Sequence, residues 1–164
     1  MRYSVHGIAE AAGISRVAEL AGLSVDATRE HVDWLASHID SLPDSPMQKA
    51  LDSALAGLAI ETATLRHAGS LEEVFTAVGR VYIQTGKDLT GVEKVILTGG
   101  ALLHADKQEE LAAYALYSDR YPQSLRPKRA ELIIDKHYIL AAMGLLSGYE
   151  PLAALRILKS GLLK

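Results

Sequence analysis

Three features of this sequence predict an α/β fold. Lys94-Val95-Ile96-Leu97-Thr98 is a β-branched apolar run that stops at Gly99-Gly100. Glu131-Leu132-Ile133-Ile134-Asp135 is a second run of the same kind, and helical patterns lie between the two and after the second. Strand, helix, strand, helix within about sixty residues implies a parallel crossover, because parallel strands cannot be joined by a tight turn and need a covering helix.

The region before the first strand reads as helical. A short helix is expected from Ser4 to Ala12, stopped by Gly13, and a second from Ser15 to Ala21, ended by Gly22. Ser24 caps a third, with Val25, Thr28, Val32, Leu35 and Ile39 on one face. Ser41-Leu42-Pro43-Asp44-Ser45-Pro46 is a turn by composition. Ser45 then serves as an N-cap, with Pro46 at the first helical position and Gln48 completing a capping box. The helix it opens places Leu51, Ala54, Leu55, Leu58, Thr62 and Leu65 at helical spacing and ends near Ala68.

Residues 70–86 carry two signals. Ser70 with Glu73 reads as a capping box, and Leu71, Val74, Phe75, Val78, Val81 and Tyr82 fall at helical spacing. Val74-Phe75-Thr76 and Arg80 to Gln84 are also β-prone runs separated by Gly79, and periodicity alone does not decide between them. Beyond these come the expected strand 94–98, a helix from Asp106 to Tyr117, a polar stretch from Ser118 to Arg129, the strand 131–135, and helices from Tyr138 to Leu146 and Pro151 to Leu163. Both strands read as buried.

Composition excludes more than it assigns. The 164 residues are 49% apolar and 23% charged, an ordinary globular mixture for one domain or one lobe of something larger. A formal charge of −3 gives no electrostatic footprint for nucleic acid. The longest nearly apolar stretch, Ile139 to Leu146, falls far short of the roughly 20 residues needed to cross a bilayer, so no membrane association is expected. The absence of cysteine excludes thiolate metal sites and cysteine nucleophiles, and fits a cytoplasmic protein.

Few motifs carry chemistry. Residues 17–28 have the alanine and glycine of a helix-turn-helix, but the second helix would present Asp26, Glu30 and Asp33 to a phosphate backbone against a single Arg29. His31 and His38 share a helix face two turns apart, too far for a metal pair without converging carboxylates. Glu72-Glu73 and Glu109-Glu110 are adjacent, so they diverge and read as solvated. Arg126, Lys128 and Arg129 around Pro127 read as a solvated loop, with an anion contact as the alternative. Gly99-Gly100 is the site-like feature: a strand ending in glycines lets a ligand approach bare backbone at the strand's carboxyl end. It lacks a Walker-type loop or a full dinucleotide fingerprint, and no catalytic acid, base or nucleophile stands out.

Several segments in order resemble one family: Met1-Arg2-Tyr3-Ser4, Arg66-His67-Ala68-Gly69, Thr76 to Gly79, Tyr82 to Thr90, Val95 to Ala101 and Leu132 to Ala141. Together they are similar to the C-terminal part of the glutamate mutase-associated MutL proteins, also called the GlmL family, which share only a name with the mismatch-repair MutL. That family resembles the actin and heat-shock-chaperone ATPases, whose shared fold is actin-like (ribonuclease H-like). Its implied role is an ATP-dependent reactivating chaperone for cobalamin-dependent mutases such as glutamate mutase or an aminomutase.

The resemblance implies several further things. Residues 46–164 would form the C-terminal α/β lobe, with a βαβα unit, and residues 1–45 a mostly helical segment of the kind inserted on one lobe. It favours a β-hairpin at 70–86 with Thr76 to Gly79 as its turn. Thr98, Gly99, Gly100 and Ala101 would wall the nucleoside side of an ATP/ADP site, with Lys87 and Asp135 as neighbours, and Mg would accompany the nucleotide in the full-length protein. The catalytic carboxylates and an N-terminal lobe would lie upstream, making this chain a piece of a longer protein that does not hydrolyse ATP alone. Its partners would be that lobe and the mutase subunits. An alternative is a non-hydrolysing platform that binds the mutase.

Overall fold

The computed structural model describes residues 4–162. The family-like Met1-Arg2-Tyr3 segment and the expected helix end at Leu163 lie outside those residues. Four helices come first: α1 (Val5–Ala12), α2 (Ile14–Ala21), α3 (Val25–Ser37) and α4 (Pro46–His67). Local chemistry sets the starts of α3 and α4 as expected, whereas α3 stops at Ser37 and leaves Ile39, expected on its face, in the turn beyond. The Ser24 hydroxyl accepts the Ala27 amide at 3.2 Å and the Ser45 hydroxyl accepts the Gln48 amide at 3.3 Å. The Gln48 side chain reaches back one residue further than a strict capping box, to the Asp44 amide at 3.0 Å.

One apolar cluster joins these helices. Val5, Val17, Val32 and Leu35 meet Leu51, Leu55 and Leu58 of α4, all essentially inaccessible to water. Thr28 is fully buried among them, because its hydroxyl donates to the Ser24 carbonyl at 2.8 Å and is thereby satisfied within the helix. The opposite side of α4 supplies Ala56 and Ile60 to a second cluster, with Leu97, Leu102, Leu111 and Ala112. α4 is therefore the wall shared by the helical and the α/β halves.

The ambiguous segment 70–86 is an antiparallel hairpin, β1 (Ser70–Thr76) and β2 (Gly79–Thr85). Thr76 closes the turn, its hydroxyl accepting the Val78 amide and donating to the Gly79 carbonyl. At the base, Gly69 and Gly86 touch backbone to backbone, so close that a Cβ on Gly86 would lie 2.9 Å from the Gly69 Cα. A helix beginning at Ser70 could not hold that contact. No side chain could stand there either.

The second sheet pairs β3 (Lys94–Leu97) and β4 (Glu131–Ile134) in parallel, with Val95 opposite Leu132 and Leu97 opposite Ile134. Between them run a short helix α5 (Gly100–Leu103), which the sequence pattern did not reveal, and α6 (Gln108–Ala112), continued by a 3-10 turn over Ala113–Ala115. The helix expected over 106–117 is therefore shorter. Its last turn tightens, and the Tyr117 amide leaves it to bond the Pro127 carbonyl at 2.8 Å. α7 (Ile139–Leu146) and α8 (Pro151–Leu162) close the fold.

Two further expectations need correction. β3 is not buried on both faces: Val95 and Leu97 face α4 and α6, while Ile96 remains 43% exposed. The second face is covered unevenly: Ile133, opposite Ile96 on that face, is 7% exposed, so the cover reaches β4 and stops short of β3. The polar stretch 118–129 is not a solvated loop throughout, since Arg126 is completely buried. Leu125 donates to the Gly69 carbonyl, Leu71 to the Gln123 carbonyl and Leu89 to the Leu125 carbonyl. These bonds stitch the loop to the hairpin base and carry Arg126 inside; Lys128 and Arg129 remain exposed. Among the described residues, no helix is long and apolar enough to cross a membrane.

Candidate functional site

β3 and β4 point their carboxyl ends the same way, so Thr98 and Asp135, the residues that follow them, become neighbours. Asp135 is only 1% exposed. One carboxylate oxygen accepts the Ile139 amide at 3.1 Å and the other the Leu140 amide at 2.9 Å, at the start of α7. The His137 amide and the Thr98 hydroxyl donate to the same group. Burial by itself would raise the Asp135 carboxyl. The Leu140, Ile139 and His137 amides and the Thr98 hydroxyl outweigh it and hold the group below the ordinary aspartate range. Its charge also faces the positive end of the α7 dipole. Asp135 thus ties β3, β4 and α7 together, and its oxygens are occupied in doing so.

The glycine turn lies beside this knot. Gly99 has φ 132° and ψ 145°, a backbone region essentially confined to glycine, and its carbonyl accepts the Leu102 and Leu103 amides that start α5. Gly100 has an ordinary backbone, and the position of a Cβ there would be 3.1 Å from the Tyr138 hydroxyl. Tyr138 itself adopts a left-handed conformation (φ 53°), unusual for an aromatic residue, in the short link between Asp135 and α7.

A cleft of about 560 Å³ opens against Gly100 and Ala101. Its other walls are the linker from Ile39 to Pro43, the first turns of α4 (Lys49, Asp52, Ser53) and His104 to Asp106. Apolar Ile39, Leu42 and Pro43 therefore face the Gly100–Ala101 turn, and Asp40, Lys49, Asp52 and His104 line the same cleft. A larger cleft of about 660 Å³ shares Lys49, Ser53 and Asp106 but has no glycine wall. We assign the site to the smaller one, because only there does a ligand meet uncovered main chain at a strand's carboxyl end.

The structure brings Thr98, Gly99, Gly100, Ala101 and Asp135 together. It places Lys87 elsewhere, at the hairpin base, exposed and with its carbonyl accepting the Gly69 amide. Sequence reading missed the linker and α4 contribution altogether. Nothing in the spacing of Lys49, Asp52 and His104 signals that they share a cleft, since they converge only through the packing of α4 on α5. The histidines singled out by spacing do not converge: the His38 ring stacks on Trp34 at 4.4 Å and its Nδ1 lies 2.8 Å from the Trp34 carbonyl. Among the described residues, no three His, Cys, Asp or Glu side chains are grouped to hold a metal ion.

A second polar centre lies at the junction of α2, α4 and the 118–129 loop. Arg16 engages both oxygens of Glu61, which is 4% exposed, and donates to the Tyr121 hydroxyl at 3.1 Å. The Arg126 guanidinium donates to the Tyr114 carbonyl at 3.2 Å and lies 5.5 Å from the centre of the Tyr121 ring. The hydrogen bond to Glu61 raises the pKa of Arg16, whereas burial lowers that of Arg126.

Comparison with known proteins places this sequence in a family. A family model described as MutL protein matches residues 1–162. A curated relative, "Protein MutL" from Clostridium tetanomorphum, is 37% identical over 165 residues. That match covers 100% of this chain and 36% of the relative, so the chain spans about a third of the relative's length. No solved structure matches the chain.

Proposed function

This chain belongs to the MutL protein family, and from that premise we propose that it is the C-terminal α/β lobe of an actin-like ATPase that reactivates a cobalamin-dependent mutase, such as glutamate mutase or an aminomutase. The supporting observation is the cleft at the carboxyl end of β3, backed by Gly100 and Ala101 and faced by the Ile39–Pro43 linker. Its volume lies within the range of small-molecule sites.

The residues present fit a nucleoside better than a whole magnesium nucleotide. Ile39, Leu42 and Pro43 offer apolar surface for a base, and Gly100 and Ala101 form the facing wall. Lys49 and the Asp40 carboxylate line the same cleft, where they could orient a ribose or neutralise charge. When bound, ATP with Mg would supply the free energy of phosphoryl transfer. Asp135 cannot serve as a free metal or phosphate ligand in this arrangement, because α7 and Thr98 already engage its carboxylate. Phosphate and metal contacts would come from residues outside this chain. The contribution of this lobe is to seat the nucleoside between α4 and the glycine turn, so that ligand state biases how the two sit relative to each other.

The second reading, a non-hydrolysing platform for the mutase, is favoured by that same engagement of Asp135. A titration of the 164-residue chain and of the full-length protein with magnesium ADP, followed by amide NMR, tests the first reading. Shifts at 98–101 and 39–53 are expected. A full-length protein whose spectrum ignores the nucleotide excludes the ATPase reading. Mutase capture that is equally strong with and without ATP then identifies a platform.

A further inference from the structure

α7 reads Ile-Leu-Ala-Ala-Met-Gly-Leu-Leu, with no polar side chain on any face, and yet none of its residues is buried. Its neighbour is α8, against which it packs so closely that a Cβ on Gly161 would collide with the end of Ile139. The pair leaves Leu145 79% exposed, Leu152 69% and Leu155 47%. A helix apolar all round belongs in an interior, and an open apolar surface of this kind marks an interaction face. The parallel pair beside it is equally incomplete. Among the described residues β3 bonds only β4, whereas parallel sheets occur with both faces covered and more strands present.

We infer that the α7–α8 pair is the docking face for the remainder of the same polypeptide in the full-length protein. The curated relative carries nearly two thirds of its length outside the matched region, enough chain for a covering lobe. A second copy of this chain suits the face less well. α8 carries Arg156 and Lys159 and no acidic residue, so a two-fold contact across it would set like charges against each other. The inference is independent of nucleotide binding and stands or falls without it.

Hydrogen exchange on the full-length protein, without nucleotide, tests it. Amides of 139–158 should exchange at least about tenfold more slowly than in the isolated 164-residue chain, in a sample that light scattering shows to be monomeric. Leu145→Glu in the full-length protein should remove that protection while α4 exchanges as before. Equal exchange in the two wild-type proteins overturns the inference, as does protection that appears only on dimerisation or that survives Leu145→Glu. The comparison of the two wild-type proteins needs no variant, so a misfolded Leu145→Glu would not leave the question open.

Discussion

Glu61, in the second half of α4, receives both arms of the Arg16 guanidinium from α2 in a site that leaves its own side chain 5% exposed. Arg126 lies near enough for the Glu61 charge to offset part of the burial penalty on it. One buried carboxylate therefore pairs with one guanidinium and offsets the burial of a second, at the place where Arg16 also bonds Tyr121 of the 118–129 loop.

Glu61→Ala should accordingly destabilise the protein more than Arg16→Ala. The first leaves two buried cations without an anion, at a cost of about 3–5 kcal/mol, whereas the second leaves Glu61 with Arg126 still nearby. Urea denaturation of both variants measures the order, and a larger loss for Arg16→Ala would show that Arg126 does not compensate.

Asp135 makes stability depend on pH in a defined direction. Its carboxyl is held below the ordinary aspartate range in the folded state, so the stabilisation is fully present above that range and is lost as pH falls through the lower folded value. Asp135→Asn should cost about 1–2 kcal/mol at neutral pH, as the loss of a charged helix cap does. The gap between variant and wild type should narrow on acidification. Chemical denaturation at pH 7 and in the acid range tests this; a gap that stays constant would mean the charge contributes nothing.

The adjacent glycines at the end of β3 should respond differently to the same substitution. Gly99→Ala forces a side chain onto φ 132° and should cost about 1–3 kcal/mol, although nothing crowds the added carbon. Gly100→Ala adds a carbon near the movable end of Tyr138 on an ordinary backbone, and should cost under about 1 kcal/mol. Thermal melts of the two variants would show the contrast.

Binding should reverse that order. Gly100→Val sets a branched side chain against the Tyr138 hydroxyl behind the glycine wall and should displace that wall of the cleft, so nucleotide affinity of the full-length protein should be lost while its circular dichroism spectrum is retained. Calorimetric titration with magnesium ADP measures it. Unchanged affinity would remove the glycine turn from the proposed nucleotide site.

The helix caps, the parallel pair and the glycine-ended strand were legible in the sequence because each is set by neighbours along the chain. Ser24 and Ser45 bond amides three residues on, and the runs 94–97 and 131–134 need only their own β-branched pattern. Segment 70–86 was not legible from periodicity, since its apolar residues satisfy both a helix and a strand. The contact between Gly69 and Gly86, seventeen residues apart in the chain, excludes the helix. The same limit applies to the site. The turn Thr98 to Ala101 announced itself locally, but its facing wall from Ile39 to Ser53 is far away in sequence and arrives through the packing of α4. Arg126 looked like a solvated charge until backbone bonds to Gly69, Leu71 and Leu89 drew its loop inward. Local hydrogen bonding and side-chain pattern are written in adjacent residues. Burial and convergence belong to the tertiary structure, because they depend on which distant surfaces exclude water from each other.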